Sequence, residues 1–176
     1  MHSKRHYLTL RARYRPAIIK LIFILESPPM SGAFFYEPGG RVTEPLFSAM
    51  MKVIGHDASS KDNGLAAFAK RGFFLVDATY RPVNHIKNQK KRDQVILSDL
   101  PDLVKDLKTI IKSHQDDIGI VLVKANICHL LEKRLLAIGM NVINHNTIIP
   151  FPSHGNQRRF HETIRMVLEN SGEVVA

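Results

Sequence analysis

Four apolar, branched runs punctuate the chain: residues 20–25 (KLIFIL), 72–76 (GFFLV), 118–123 (IGIVLV) and 140–149 (MNVINHNTII). The first three are nearly continuous rather than alternating, as in strands covered on both faces. Between them, apolar residues recur at helical spacing. Residues 44–54 carry Leu46, Phe47, Met50, Met51 and Ile54, with Pro45 suited to a first turn. Residues 64–71 form a short helical stretch. Residues 92–114 carry Val95, Ile96, Leu100, Leu103, Leu107, Ile110 and Ile111, and Pro101 splits or kinks them. Residues 126–138 carry Ile127, Leu130, Leu131, Leu135 and Ile138 and stop at Gly139, a natural C-cap. Residues 158–170 carry Phe160, Ile164, Val167 and Leu168.

This alternation predicts one α/β domain over residues 1–176: a three-layer sandwich with a central, mainly parallel, four-stranded sheet flanked by helices and joined by right-handed crossovers. Residues 1–16 read as a basic N-terminal segment, 56–63 (HDASSKDN) as a polar surface loop and 172–176 as a flexible tail. No internal repeat, low-complexity stretch or interdomain linker interrupts the pattern.

Composition narrows the class. At 176 residues and 44% hydrophobic, the chain is the size of one domain with an ordinary core. No run of eighteen apolar residues suggests a membrane span, and the basic start lacks the apolar stretch of a signal peptide. A cytoplasmic, bacterial-type protein acting at the nucleoid is expected. Cys128 is the single cysteine, which excludes an internal disulfide and a multi-cysteine metal site. The remaining histidines show no metal-ligand spacing, so neither metal nor cofactor is expected. The formal charge is +9, with 25 Lys and Arg against 16 Asp and Glu. That balance favours polyanionic partners, nucleic acid first and an acidic membrane surface second; DNA is the expected partner, with no membrane and no obligate protein partner. Arg11, Arg13, Arg15, Lys20, Lys87, Lys90, Lys91, Arg92, Arg158 and Arg159 fall near the ends of elements, where phosphate contact is convenient.

Chemistry concentrates in segments that follow apolar runs. Residues 25–35 read Leu-Glu-Ser-Pro-Pro-Met-Ser-Gly-Ala-Phe-Phe, residues 76–84 read Val-Asp-Ala-Thr-Tyr-Arg-Pro-Val-Asn, and residues 150–160 read Pro-Phe-Pro-Ser-His-Gly-Asn-Gln-Arg-Arg-Phe. In an open parallel sheet, loops at the carboxyl ends of strands converge on one crevice. Glu26, Asp77, His154, the aromatics and the arginines are thereby brought within reach of one another. No glycine-rich phosphate loop is present, which disfavours a flavodoxin-like nucleotide-binding domain.

In their order, spacing and position after strands, these segments resemble the motifs of the uracil-DNA glycosylase superfamily, across roughly residues 20–168. Glu26, two places before Pro28, matches the water-managing carboxylate of the thermophile-type branch, and Phe35 matches the ring that stacks on the flipped base. Phe151-Pro152-Ser153-His154 resembles the last motif, normally His-Pro-Ser followed by an intercalation loop. Three departures mark an atypical branch. Asp77 stands where Asn reads the base edge, Phe151 stands where His is common, and the iron–sulfur cysteines are missing.

The resemblance implies a monofunctional glycosylase that flips uracil out of single- or double-stranded DNA and hydrolyses its N-glycosidic bond, acting as a monomer. Glu26 stabilises the cationic sugar and manages water, and His154 donates to the departing base. Ser27 and Pro28 shape the first loop, and Phe35, Tyr36, Asp77 and Phe151 line the base pocket. Arg81, Asn84, Lys87, Ser153, Gly155, Asn156, Gln157, Arg158 and Arg159 contact DNA. An ionised Asp77 accepts but cannot donate, so either it is protonated, a backbone N–H serves the uracil O4, or the base is not plain uracil. Hypoxanthine, xanthine and mismatched thymine are the alternative substrates, and a non-catalytic nucleic-acid-binding module is the alternative class. The lack of an obvious lysine nucleophile disfavours a Schiff-base lyase step, with Lys124, after the third strand, the one reservation.

Overall fold

In the computed structural model, which describes residues 2–112 and 118–173, three parallel strands form the centre of the molecule. They are β1 (Leu21–Leu25), β2 (Phe73–Asp77) and β3 (Gly119–Leu122), in the order β2-β1-β3. Every residue of the three is buried, so their continuous apolar character reflects cover on both faces. The register pairs Leu21 with Phe73 and Leu25 with Asp77, and Leu21 with Gly119 and Ile24 with Leu122. All three strands therefore end at one level, and the residues that follow them share one edge.

Helices flank the sheet: α1 (Lys4–Arg13), α2 (Pro45–Val53), α3 (Lys61–Lys70), α4 (Gln89–Ser98), α5 (Leu100–Lys112), α6 (Ala125–Ala137) and α7 (Gln157–Asn170). Their starts follow local chemistry. Pro45 opens α2. The side chains of Ser60 and Asn88 cap α3 and α4 by accepting from the N–H groups of Asn63 and Lys91. The long helical run divides at Asp99, just ahead of Pro101. Its expected end at His114 lies outside the described residues, as do positions 174–176 of the expected tail. Residues 61–63 of the expected polar loop are the first turn of α3, and the basic N-terminal segment contains α1. Among the described residues, no helix is long and apolar enough to cross a membrane.

Among the described residues the sheet has three strands rather than four. Residues 140–149 run beside β3 without forming a continuous ladder, pairing as isolated bridges at Ile120 with Val142 and Val123 with Ile149. Eight residues on one side (142 to 149) face four on the other (120 to 123), so the surplus loops out as a turn with Asn146 at φ 60°. Asn144 replaces the missing ladder. Its Oδ1 accepts from the Leu122 N–H at 2.8 Å, and its Nδ2 donates to the carbonyls of Leu122 and Thr147 at 3.0 Å each. Asn-His-Asn is turn chemistry, and it outcompetes the apolar residues on either side.

Candidate active site

Glu26 and Asp77 stand side by side at the carboxyl ends of β1 and β2. The backbone fixes them there: the Ala78 N–H donates to the Leu25 carbonyl at 2.7 Å and the Thr79 N–H to that of Glu26 at 3.1 Å. Side chains then stitch the two following loops together. Ser27 Oγ accepts from the Val83 N–H at 3.2 Å, and Asn84 Oδ1 accepts from the Met30 N–H at 3.0 Å. Ser27 and Asn84 thus shape the loops. Pro28 is buried between them.

The two carboxyls live in opposite environments. Glu26 is 7% exposed and collects the donors: Lys124 Nζ donates to Oε2, Asn126 Nδ2 donates to Oε1 at 2.7 Å, and Arg92 Nη1 lies 3.9 Å away. Asp77 is 5% exposed and is pushed up to about 7. Burial is the main cause, the neighbouring Glu26 charge adds to it, and Arg11 opposes both. Arg11 cannot fully compensate, because its guanidinium is committed elsewhere. It donates to both oxygens of Asp106, at 2.7 and 3.0 Å, and to the Tyr80 hydroxyl at 2.8 Å.

A cavity of about 320 Å³ opens between them. Glu26, Asp77, Phe35, Asn84, Lys124 and Phe151 all contribute to its wall. The volume is at the lower end of the ~300–1,000 Å³ typical of small-molecule sites. Its aromatic side is rigid. Phe35 packs edge-on against Tyr36 and Phe68 with centroids 5.1 Å apart, and leans on Phe47 at 6.0 Å. Phe34 and the N-terminus of α2 are tied together by the fully buried Lys61, whose Nζ donates to the Phe34 carbonyl and to Glu44 Oε2 at 2.6 Å each. Burial pushes the Lys61 ammonium down, and Glu44 pushes it back up.

A larger cavity, about 630 Å³, lies on the other side of Asp77 between α1 and α5. Four of its charged residues form pairs, Lys4 with Asp102 at 2.6 Å and Arg81 with Asp99 at 2.8 Å. Asp77 is the partition between the two spaces.

The other expected site residues separate into groups. Tyr36 is fully buried in the core, where its hydroxyl accepts from the Leu75 N–H at 2.7 Å on β2's outer edge, and it does not line the smaller cavity. Arg81 folds onto Asp99, Ser98 and the Val95 carbonyl. His154 is exposed on the turn before α7 and is not among the residues lining the cavity, whereas Phe151 is. Ser153 and Asn156 close that turn, the Asn156 N–H donating to the Ser153 carbonyl at 2.9 Å, with Gly155 at φ 84°. Gln157, Arg158 and Arg159 are exposed at the start of α7, and Lys87 is exposed before α4. Arg158 meets Glu162 at 3.0 Å in a pair exposed enough to yield readily to phosphate.

Lys124 and Asn126 were not foreseen as partners of Glu26. Lys124 caps α6 and Asn126 lies in its first turn, just beyond the carboxyl end of β3, on the same edge of the sheet that holds Glu26 and Asp77, and that is the signal that marks them. Their turn is costly. Lys124 takes φ 88° and ψ 134°, near a region adopted essentially by glycine, at about 1–3 kcal/mol for any other residue. Asn126 Oδ1 is buried with no hydrogen-bond partner among the described residues, at roughly 1–3 kcal/mol.

No family model matches the sequence, and no curated protein is similar to it.

Proposed function

We propose that this chain is a DNA N-glycosidase that takes a flipped uracil, or another base with the same lactam edge, and hydrolyses its bond to deoxyribose. One observation carries the reading: two carboxyls on adjacent strand ends face one cavity, one surrounded by donors and the other held near neutrality. A carboxyl whose burial holds its proton, set beside one that collects donors, suits an acid beside a base.

The chemistry follows from the charges. Breaking the C1′–N1 bond puts positive charge on the sugar and negative charge on the departing base. Glu26, ionised, stabilises the sugar and accepts a proton from water as its oxygen bonds to C1′. Asp77, protonated, offers one O–H donor and one carbonyl acceptor. That is the complement of the uracil O4 and N3–H, and it is the same pair of contacts an Asn amide would make. The donated hydrogen bond strengthens as the base takes up charge, so it acts on the transition state. Phe35 supplies the wall against which a ring stacks.

Removing a base from a duplex requires extruding it, at a few kcal/mol, with a grip on the flanking phosphates. The net charge of +9 and the exposed Lys87, Arg158 and Arg159 support that partner. The resemblance of the 25–35 and 150–160 segments to glycosylase motifs supports the same reading. Hypoxanthine presents N1–H and O6 in the same arrangement and belongs to the same substrate class.

The test uses labelled oligonucleotides carrying uracil, hypoxanthine, xanthine or a T·G mismatch, single-stranded and duplex, without added metal. Alkali-labile abasic sites in the uracil substrate are expected. Tight binding of every duplex with no abasic site anywhere would instead establish a non-catalytic DNA-binding module.

A further inference from the structure

We infer that the turn formed by Lys124 and Asn126 is a clamp that positions Glu26, kept in a strained form because its two side chains end on that carboxylate. The inference rests on the proposed glycosidase reading and deepens it. Two separate local costs fall within three residues: a lysine in a backbone conformation near one suited to glycine, and a buried amide oxygen without a partner. Both residues direct their remaining polar atoms at Glu26. Lys124 Nζ takes one carboxylate oxygen and Asn126 Nδ2 takes the other at 2.7 Å.

The Asn orientation is set by this contact. A carboxylate oxygen needs a donor, so the amide nitrogen must face Glu26 and the oxygen must face away. Glycine at position 124 would relieve the backbone but leave Glu26 Oε2 without its donor. Asn126 turned the other way would satisfy neither group. Local strain over-determined by its surroundings gathers at functional sites. Here the carboxylate at the end of β1 is fixed from a turn 98 positions away in sequence.

Lys124 and Asn126 are positioning residues, acting through Glu26. Lys124 also lines the cavity itself, and the space between α4 and α6 on its other side. Its amine is engaged by the carboxylate, which sets this role against that of a Schiff-base nucleophile.

Two measurements test the clamp. The first compares thermal midpoints in the Glu26→Gln background, where the carboxylate charge is gone. Adding Lys124→Gly should raise the midpoint by roughly 2–4 °C, because relief of the backbone then dominates. A fall would show that Lys124 is structural and overturn the inference. The second measures single-turnover base release from a uracil duplex. Lys124→Gly should slow release on the order of 100-fold, the effect of a misplaced catalytic group, with duplex affinity retained. Lys124→Arg should recover most of the rate. An active wild type beside an equally active Lys124→Gly variant overturns the clamp alone. Borohydride trapping of DNA on residue 124 also overturns it, by making the lysine a nucleophile. A wild type that releases no base from any substrate fails the functional reading itself, and the clamp falls with it.

Discussion

Replacing Asp77 by Asn should stabilise the protein at neutral pH and leave it nearly unchanged near pH 4. In the folded chain the Asp77 carboxyl holds its proton up to about pH 7, whereas its ordinary value is 3.8. Between those limits the folded state binds the extra proton and the unfolded state does not, so stability falls as pH rises through the window and levels off above it. The gap converts, at about 1.4 kcal/mol per pH unit, to roughly 4 kcal/mol at pH 7 and above, an order-of-magnitude upper bound. An amide carries no such liability. Urea unfolding of both proteins from pH 4 to 8.5 isolates it, because titrating groups remote from Asp77 cancel in the difference. The advantage of Asp77→Asn should be small at pH 4, grow to pH 7 and then stay constant. A difference that is flat with pH would refute the argument, and so would a variant less stable at every pH. Base release gives a second reading. Uracil excision by the wild type should decline about tenfold per pH unit above 7 as the donor is lost, while the Asn variant should show no such decline.

Glu26→Gln should lower base release by about 10²–10⁴-fold, the usual contribution of a general base, at unchanged duplex affinity; an unaltered single-turnover rate would remove Glu26 from the mechanism. Lys61→Met breaks a buried ion pair beneath the aromatic wall and should cost about 3–5 kcal/mol in urea unfolding. Pairing it with Glu44→Met should recover part of that loss, and a double variant no more stable than the single one contradicts the assignment. Asn144→Ala leaves the Leu122 N–H without its side-chain partner and its carbonyl with only the weak Cys128 Sγ donor at 3.5 Å, and should destabilise by about 1–3 kcal/mol. A loss of a few tenths, measured the same way, would mean that backbone pairing replaces the amide.

Where one physical signal dominates, the sequence reports it. KLIFIL, GFFLV and IGIVLV are uniformly apolar because both faces of the sheet are covered, and all three are strands at nearly the expected positions. Pro45 and Pro101 mark helix starts because their geometry permits little else. Two competing signals made other stretches hard to read. Residues 140–149 combine apolar residues with Asn-His-Asn, and the turn wins because Asn144 can satisfy Leu122 with its side chain. Helix α1 is rich in basic residues and buries only Tyr7, Leu10 and Arg11, so no apolar stripe announces it; Ser3, its N-cap, is the one local mark. HDASSKDN looks like a loop because it is polar, yet Ser60 starts a helix there and Lys61 is fully buried.

The site divides along the same line. Glu26, Asp77, Phe35 and Phe151 were legible from their places after strands or within the motifs, and they share one cavity. Lys124 and Asn126 meet Glu26 across 98 and 100 positions, a proximity that only the parallel register creates. His154 and Tyr36 carry suitable chemistry but turn to solvent and to the core. The burial that holds the Asp77 carboxyl up is invisible in the sequence, because it arises from packing around the end of β2.

The central claim is hydrolysis of an N-glycosidic bond in this cavity, and mass spectrometry of both products tests it most directly. Wild-type protein incubated with uracil-containing DNA should release free uracil and leave an unbroken strand in which a hydroxyl replaces the base at C1′, and the Glu26→Gln variant should yield little of either. Intact uracil-containing DNA after prolonged incubation with the wild type, or a strand broken at the site by elimination, would contradict it.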